Sequence, residues 1–90
     1  MIEDVEPNLA ISGRSTKIVV DGYPFSVYIF RLEFASLWTL EVIDHKNKSH
    51  VWDEKFQSDA EAWHMAVEEI TAVGAIGFMR GNNVIPLRRD

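Results

Sequence analysis

The stretch VWDEKFQSDAEAWHMAVEEI, residues 51 to 70, changes its apolar spacing part-way along. Before Ser58 apolar and polar side chains alternate, which predicts a strand, whereas after it the apolar side chains recur every three or four residues, which predicts a helix. Ser58 and Glu61 form a capping-box pattern, in which the serine oxygen accepts a hydrogen bond from the backbone N–H of Glu61. Asp59 adds a negative charge to the first turn, which the helix dipole favours. We therefore predict one helix from about Asp59 to Val73.

The apolar residues of this predicted helix fall on one stripe. At about 100° per residue, the stripe contains Ala60, Trp63, Val67, Ile70 and Gly74. We predict that the stripe covers a sheet and that Gly74 ends the helix as its C′ residue. The opposite side carries Glu61 and His64, whose Glu-x-x-His spacing ligates iron in some helix bundles. Because this pair faces away from the core that one helix can offer, we interpret it as solvated surface.

The residues that precede this stretch predict antiparallel strands joined by short turns. Asp21-Gly22 is the dipeptide that best accepts the positive φ angles of a tight hairpin turn. From Phe25 to Phe34 the chain alternates with apolar residues in both sets, and a second alternating segment leads through a polar turn to a further strand. We predict an α+β fold, an antiparallel β-meander of three to four strands from Lys17 to Phe56 packed against one α-helix, with a short C-terminal extended segment.

Ninety residues support a single hydrophobic core, which predicts one domain. Residues 1–14 show no strong periodicity, and we predict a mobile or edge N-terminal segment there, followed by a single α+β domain over residues 15–90. After the helix, AIGFM at residues 75 to 79 is interpreted as a short strand or extended segment. VIPL at residues 84 to 87 is interpreted as a final edge strand that Pro86 interrupts.

The composition excludes several classes of function. The chain contains no cysteine, which rules out disulfides, thiolate metal sites and cysteine nucleophiles. Its net charge is −5 and its nine Lys and Arg residues are scattered, which disfavours nucleic-acid binding because phosphates need a concentrated positive face. The acidic start MIEDVEPN lacks the features of a secretory signal, and the longest apolar run is too short to span a bilayer. We expect a cytoplasmic protein with neither a nucleic-acid nor a membrane partner.

Four polar residues bracket the last predicted turn of the sheet: Asp44, His45, His50 and Asp53. A hairpin could bring the two imidazoles across from each other, and an aspartate could orient one of them. Turns are naturally rich in such residues, however, and neither a nucleophile nor a glycine-rich phosphate cradle accompanies them. We predict that the protein is not an enzyme and has no catalytic, cofactor-binding or metal-ligating residue. A small metal or acid–base site at the turn is the alternative, and whether His45 and His50 form a site stays open.

The order of strand, polar turn and acidic helix in VWDEKFQSDAEAWHMAVEEI, followed by GAIGF, resembles a group of small uncharacterised bacterial α+β proteins. In those proteins a strand ending in Trp-Asp leads through Ser/Thr-Asp into an acidic helix, and the resemblance covers roughly residues 14 to 79. The run SDAEA, residues 58 to 62, is also similar to the helix start that follows the sheet in HicB-type antitoxins. That resemblance implies an antitoxin-like protein that binds a partner, although the sequence has no counterpart of the DNA-binding motif that those antitoxins append.

One helix can cover only one face of a sheet whose two faces are both apolar. We predict that Val27, Ile29, Leu37 and Ile43 lie on the uncovered face, with Met65 on the outer side of the helix. Large uncovered apolar patches usually mark interaction surfaces. We therefore expect a non-catalytic protein-interaction or assembly module, self-associating as a homodimer through the sheet, with an unidentified protein partner as the alternative. On this prediction, Ile29→Glu separates the dimer without unfolding the chain.

Overall fold

A computed structural model of the protein describes residues 8 to 81, in which five antiparallel strands pack against one helix. This architecture confirms the predicted α+β class. The elements in chain order are β1 (Leu9–Ile11), β2 (Thr16–Val20), β3 (Tyr23–Leu32), β4 (Thr39–Ile43), β5 (Ser49–Val51) and α1 (Asp59–Met79). No helix within these residues is long and apolar enough to cross a membrane.

The ten-residue strand β3 organises the sheet. On one side it pairs with β2 and then with β1, and on the other side with β4, which in turn pairs with β5. The strand β1 belongs to the segment predicted to be mobile or at an edge, and it pairs at the edge of β3, with Leu9 opposite Leu32 and Ile11 opposite Phe30. The hairpin predicted between β2 and β3 is confirmed, since Asp21 and Gly22 have φ angles of 55° and 83°.

The register between β3 and β4 decides which side of β3 faces the helix. Val27 pairs with Val42 and Ile29 pairs with Leu40, and all four side chains are buried. The prediction that Val27 and Ile29 lie on the uncovered face is therefore wrong. Both alternating sets of β3 are apolar, so alternation alone does not distinguish the two faces, whereas pairing with the inward side chains of β4 does.

The core lies between the inner face of the sheet and α1. Its buried residues come from the strands, from the segment before the helix and from the helix itself: Phe25, Val27, Ile29, Leu40, Val42, Trp52, Phe56, Ala62, Ala66, Ile70, Ala75 and Phe78. Ile70 is buried as the predicted stripe requires. The other fully buried positions of the first helical segment are Ala62 and Ala66, whereas Trp63 and Val67 of the predicted stripe are only half-buried. Small alanines allow the helix backbone to approach the large side chains of the sheet.

The first helical segment ends at Gly74 with a positive φ angle, as predicted, but a second helical segment follows, so that α1 is kinked and continues beyond the predicted end. Gly74 has φ 80° and ψ 159°, a conformation nearly confined to glycine, and the chain then resumes a helical path to Met79. Asp21 explains the restart, because its Oδ2 accepts a hydrogen bond from the backbone N–H of Ala75 at 2.9 Å and so caps the second helical segment. The prediction of a strand or extended segment over residues 75 to 79 is wrong for this reason. The segment predicted as an edge strand, residues 84 to 87, lies outside the described residues.

A hydrogen bond ties the connection after β1 to the first turn of α1. The Ser12 hydroxyl is buried, donates to Asp59 Oδ2 at 2.7 Å and accepts from the backbone N–H of Arg14 at 2.9 Å. The Nε atom of Arg14 lies 3.5 Å from Asp59 Oδ1. The hydrogen bond from Ser12, aided by the charge of Arg14, lowers the pKa of Asp59 despite its partial burial.

The predicted start of α1 is confirmed and permits a direct test. The backbone N–H of Glu61 donates to Ser58 Oγ at 3.1 Å, and the side chain of His64 is exposed. We expect Ser58→Ala to lower the free energy of unfolding by about 1 kcal/mol through the lost cap, and His64→Ala to be nearly neutral. Midpoints of urea unfolding measure both variants. A larger loss at His64 than at Ser58 would contradict a solvated outer side of the helix.

Candidate functional site

The five residues predicted to form an interface do not lie together. Val27 and Ile29 are in the core, and Met65 packs against that core from the helix. Leu37 is 44% exposed in the turn between β3 and β4, and Ile43 is half-buried in β4. Among the strand residues of this set, only Ile43 points away from the helix. Side chains alternate along a strand, and its neighbour Val42 is buried on the helix side.

The sheet nevertheless has an apolar face that α1 does not cover, which we call the outer face. Its apolar side chains come from all five strands: Leu9, Ile11, Val19, Tyr28, Phe30, Leu32, Ile43 and Val51. Six residues of this face, including Glu41, surround a shallow depression of 360 Å³. Leu9 and Ile11 are 54% and 59% exposed, although side chains of this kind are usually buried. No element within residues 8–81 packs on this face.

The outer face carries almost no net charge. Within the described strands, its outward-pointing charged side chains are Lys17 on β2 and Glu41 on β4. Glu41 is half-buried, and its Oε2 accepts a hydrogen bond from the Ser49 hydroxyl at 2.5 Å. The two opposite charges cancel formally, whereas the whole chain has a net charge of −5. The described strands therefore contribute no net charge to this face.

A buried pair of ionisable side chains connects the start of the turn between β4 and β5 to β5 itself. Asp44 Oδ2 lies 3.1 Å from His50 Nε2, and both residues are buried. Asp44 Oδ1 accepts hydrogen bonds from the backbone N–H groups of Lys46 and Lys48, at 2.9 and 3.0 Å. One carboxylate thus closes the turn and orients the imidazole at the same time.

This pair does not extend into a larger polar site. The His50 ring packs against Phe78 with centroids 4.5 Å apart, and its one hydrogen bond within the described residues is to Asp44. His45 points instead towards Tyr23, with ring centroids 5.0 Å apart, and Asp53 is exposed. Across residues 8–81, no three His, Cys, Asp or Glu side chains lie close enough to hold a metal ion. The geometry favours a structural role for the Asp44–His50 pair in fixing the turn.

The buried carboxylate predicts a dependence of stability on pH. Burial raises the pKa of Asp44, but the hydrogen bonds from His50 and from the backbone of Lys48 and Lys46 outweigh burial and hold its pKa below the usual value. A carboxyl group with a lower pKa in the folded state stabilises the fold above its unfolded pKa, about 4, and this contribution is lost as pH falls through the folded pKa. We expect the free energy of unfolding to decline below about pH 4.

Urea unfolding between pH 3 and pH 7 measures this decline. Asp44→Asn is the matched variant, because an amide oxygen accepts the same backbone hydrogen bonds but does not titrate. We expect a shallower decline in the variant. Equal slopes for the two proteins below pH 4 would show that other carboxyl groups, such as Asp59, account for the acid sensitivity.

The sequence contained part of the signal for the outer face. Leu9 and Ile11 alternate around a small residue, as strand residues do, but three residues are too few to establish a period. The prediction that places Val27 and Ile29 on the uncovered face places Tyr28 and Phe30, which alternate with them, on the helix side, whereas the structure has Tyr28 and Phe30 on the outer face. The Ser12–Asp59 contact had no sequence signal of its own, since the two residues are 47 positions apart. The polar turn did suggest an aspartate that orients an imidazole, as Asp44 does for His50, but not that His45 lies beside Tyr23 instead of across from His50.

A comparison of the chain with known proteins finds no matching family model, and neither a curated protein nor a solved structure is significantly similar to it. The resemblance to HicB-type antitoxins and to small bacterial α+β proteins therefore stays a prediction.

Proposed function

We propose that the protein is a non-catalytic interaction module that forms a homodimer through the outer face of its sheet. The observation that carries the proposal is the uncovered apolar surface on β1, β3 and β4, where Leu9 and Ile11 are more than half exposed. Contiguous exposed apolar surface of this kind is typical of protein–protein contacts. The Asp44–His50 pair offers less support for an enzyme, because it is enclosed by Phe78 and by the turn.

The outer face has about the area of a small dimer interface. The five strands contain 3, 5, 10, 5 and 3 residues. At about 4.8 Å between strands and about 3.3 Å per residue, these 26 residues cover roughly 400 Å² in projection. Two such faces give about 800 Å² of projected area, and the side chains that stand up from the sheet add accessible surface, which brings the contact close to the roughly 1,000 Å² of a specific interface.

Charge favours a second copy as the occupant. Two chains that each carry a net charge of −5 repel each other, and this repulsion is weakest where opposing surfaces are neutral. The outer face meets that requirement, because Lys17 and Glu41 balance each other. A closed two-fold pair is also the commonest arrangement for self-association of a single chain.

Light scattering coupled to size exclusion at micromolar concentration tests the proposal. We expect a mass twice the 10.3 kDa of one chain. Ile11→Glu introduces a charge into the outer face and is expected to give a folded monomer, because Ile11 is already 59% exposed. Val73→Glu is the matched control, since Val73 is an exposed apolar residue on the helix, and we expect it to remain dimeric.

Two outcomes would overturn self-association. The first is a monomeric mass for the unmodified protein, and the second is dissociation by Val73→Glu to the same extent as by Ile11→Glu. If the unmodified protein is a monomer that dimerises when residues 82–90 are removed, the occupant of the outer face is that segment of the same chain. The antitoxin-like role, the bacterial origin and the cytoplasmic location stay predictions that this measurement does not address.

A further inference from the structure

A second surface, on the helix side of the molecule, has a chemistry different from that of the outer face. An open cleft of 320 Å³ lies between the β4–β5 turn and the last turn of α1. Its walls come from Tyr23, from the turn residues Asp44, His45, Lys46 and Lys48, and from the helix residues Ile76, Met79 and Arg80. This volume is at the lower end of the range for small-molecule sites.

Positive charge is concentrated in this cleft. Residues 8–81 contain seven Lys and Arg side chains, and three of them, Lys46, Lys48 and Arg80, line it. None of the three forms an ion pair with a carboxylate among the described residues, whereas Arg14 pairs with Asp59. The cleft is therefore a local basic site on an acidic chain.

The negative charge in the cleft is smaller than the positive charge. Among the described residues, Asp44 is the only carboxylate that lines the cleft, and both of its oxygens already accept hydrogen bonds, from His50 and from the backbone of Lys46 and Lys48. The C-terminal end of α1 adds a partial charge of about −0.5. Three cations against one carboxylate and this partial charge leave roughly +1.5, which favours an anion over a cation or a neutral ligand.

The remaining walls are flat or apolar. The rings of Tyr23 and His45 lie 5.0 Å apart, centroid to centroid, at an interplanar angle of 32°. Ile76 is 46% exposed and Met79 is half-buried, and together they offer aliphatic and thioether surface opposite the turn. Flat rings pack favourably against aromatic and methionine side chains.

The helical segment that follows the kink at Gly74 forms one wall of the cleft. The carboxylate of Asp21 caps Ala75, and Phe78 is buried against Phe25 and Trp52. These contacts hold the segment that carries Ile76, Met79 and Arg80, while the Asp44 hydrogen bonds hold the turn. The two walls are therefore fixed by buried contacts, which distinguishes the cleft from a turn with freely solvated lysines.

We propose that this cleft binds a small organic anion with a flat ring, in which a carboxylate or phosphate group contacts Lys46, Lys48 and Arg80 while the ring lies beside His45, Ile76 and Met79. The inference is independent of dimer formation, because the cleft and the outer face are on opposite sides of the sheet.

Titration of the full-length ¹⁵N-labelled protein followed by NMR tests the proposal, with phenyl phosphate and benzoate as probes and benzyl alcohol as the neutral control. We expect saturable shifts confined to residues 44–48 and 76–80 with either anion, and none with benzyl alcohol. Arg80→Gln and Lys48→Gln are each expected to weaken binding about 2- to 5-fold, and Lys55→Gln, at an exposed lysine outside the cleft, to leave it unchanged. Raising the salt concentration is expected to weaken binding.

The two anionic probes distinguish a phosphate from a carboxylate as the charged group of the ligand, because the probe that binds more tightly carries the preferred group. His45→Ala tests the ring contact and is expected to weaken phenyl phosphate more than inorganic phosphate. Shifts that do not saturate, equal shifts with benzyl alcohol, or an equal loss of affinity in Lys55→Gln would overturn the proposal. Equal affinity for inorganic phosphate and phenyl phosphate would also overturn it, because the ring would then contribute nothing.

Discussion

Ile29→Glu is expected to unfold the protein. Ile29 is completely buried between Leu40 and the helix, so the change removes about 2 kcal/mol of apolar burial and places a carboxylate in the core. Burying an unpaired charge costs several kcal/mol more. The sum of the two losses is comparable to the roughly 5 to 15 kcal/mol by which folded domains are typically more stable than their unfolded chains. We expect circular dichroism to show loss of a cooperative thermal transition. This outcome replaces the sequence-based expectation that Ile29→Glu separates a dimer without unfolding it.

Tyr28→Glu is the matched control for this prediction. The neighbouring residue points to the outer face and is 42% exposed, so a charge there stays in contact with water. It also lies opposite Glu41, which adds a cross-strand repulsion of at most about 1 kcal/mol. We expect a folded protein with reduced self-association. If Tyr28→Glu unfolds the chain and Ile29→Glu does not, the two faces of β3 have been assigned the wrong way round.

Phe78→Ala is expected to lower the free energy of unfolding by about 3 to 5 kcal/mol. Phe78 is fully buried in the helical segment after Gly74, and its ring contacts those of Phe25, His50 and Trp52. Truncation leaves a cavity that the surrounding aromatic rings fill only in part. With a urea m-value of about 1 to 1.5 kcal/mol/M for a chain of this size, the unfolding midpoint falls by roughly 2 to 5 M.

Ile76→Ala provides the comparison within the same helical segment. Ile76 is 46% exposed, so its truncation removes little buried surface, and we expect a loss below about 1 kcal/mol. Equal losses for Phe78→Ala and Ile76→Ala would contradict a helix that continues past Gly74 and packs through Phe78. The pair of variants therefore tests the element that the sequence did not predict.

The sequence by itself determined the features that depend on neighbouring residues. The Asp21-Gly22 hairpin follows from the few residue types that accept positive φ angles. The start of α1 at Ser58 follows from a cap that needs only four consecutive residues. The change from an alternating to a helical period near Ser58 predicted the order of sheet and helix, and hence the α+β class.

Only the tertiary structure decided which surfaces are buried and which are free. Both alternating sets of β3 are apolar, so the side that faces α1 is set by pairing with β4, which contributes Leu40 and Val42 to the core. The helix resumes after Gly74 because Asp21, 54 residues away, supplies the acceptor for Ala75. Such contacts join residues that are far apart in the sequence, and they stabilise the protein only after the sheet has formed. The local spacing of residues therefore does not predict them.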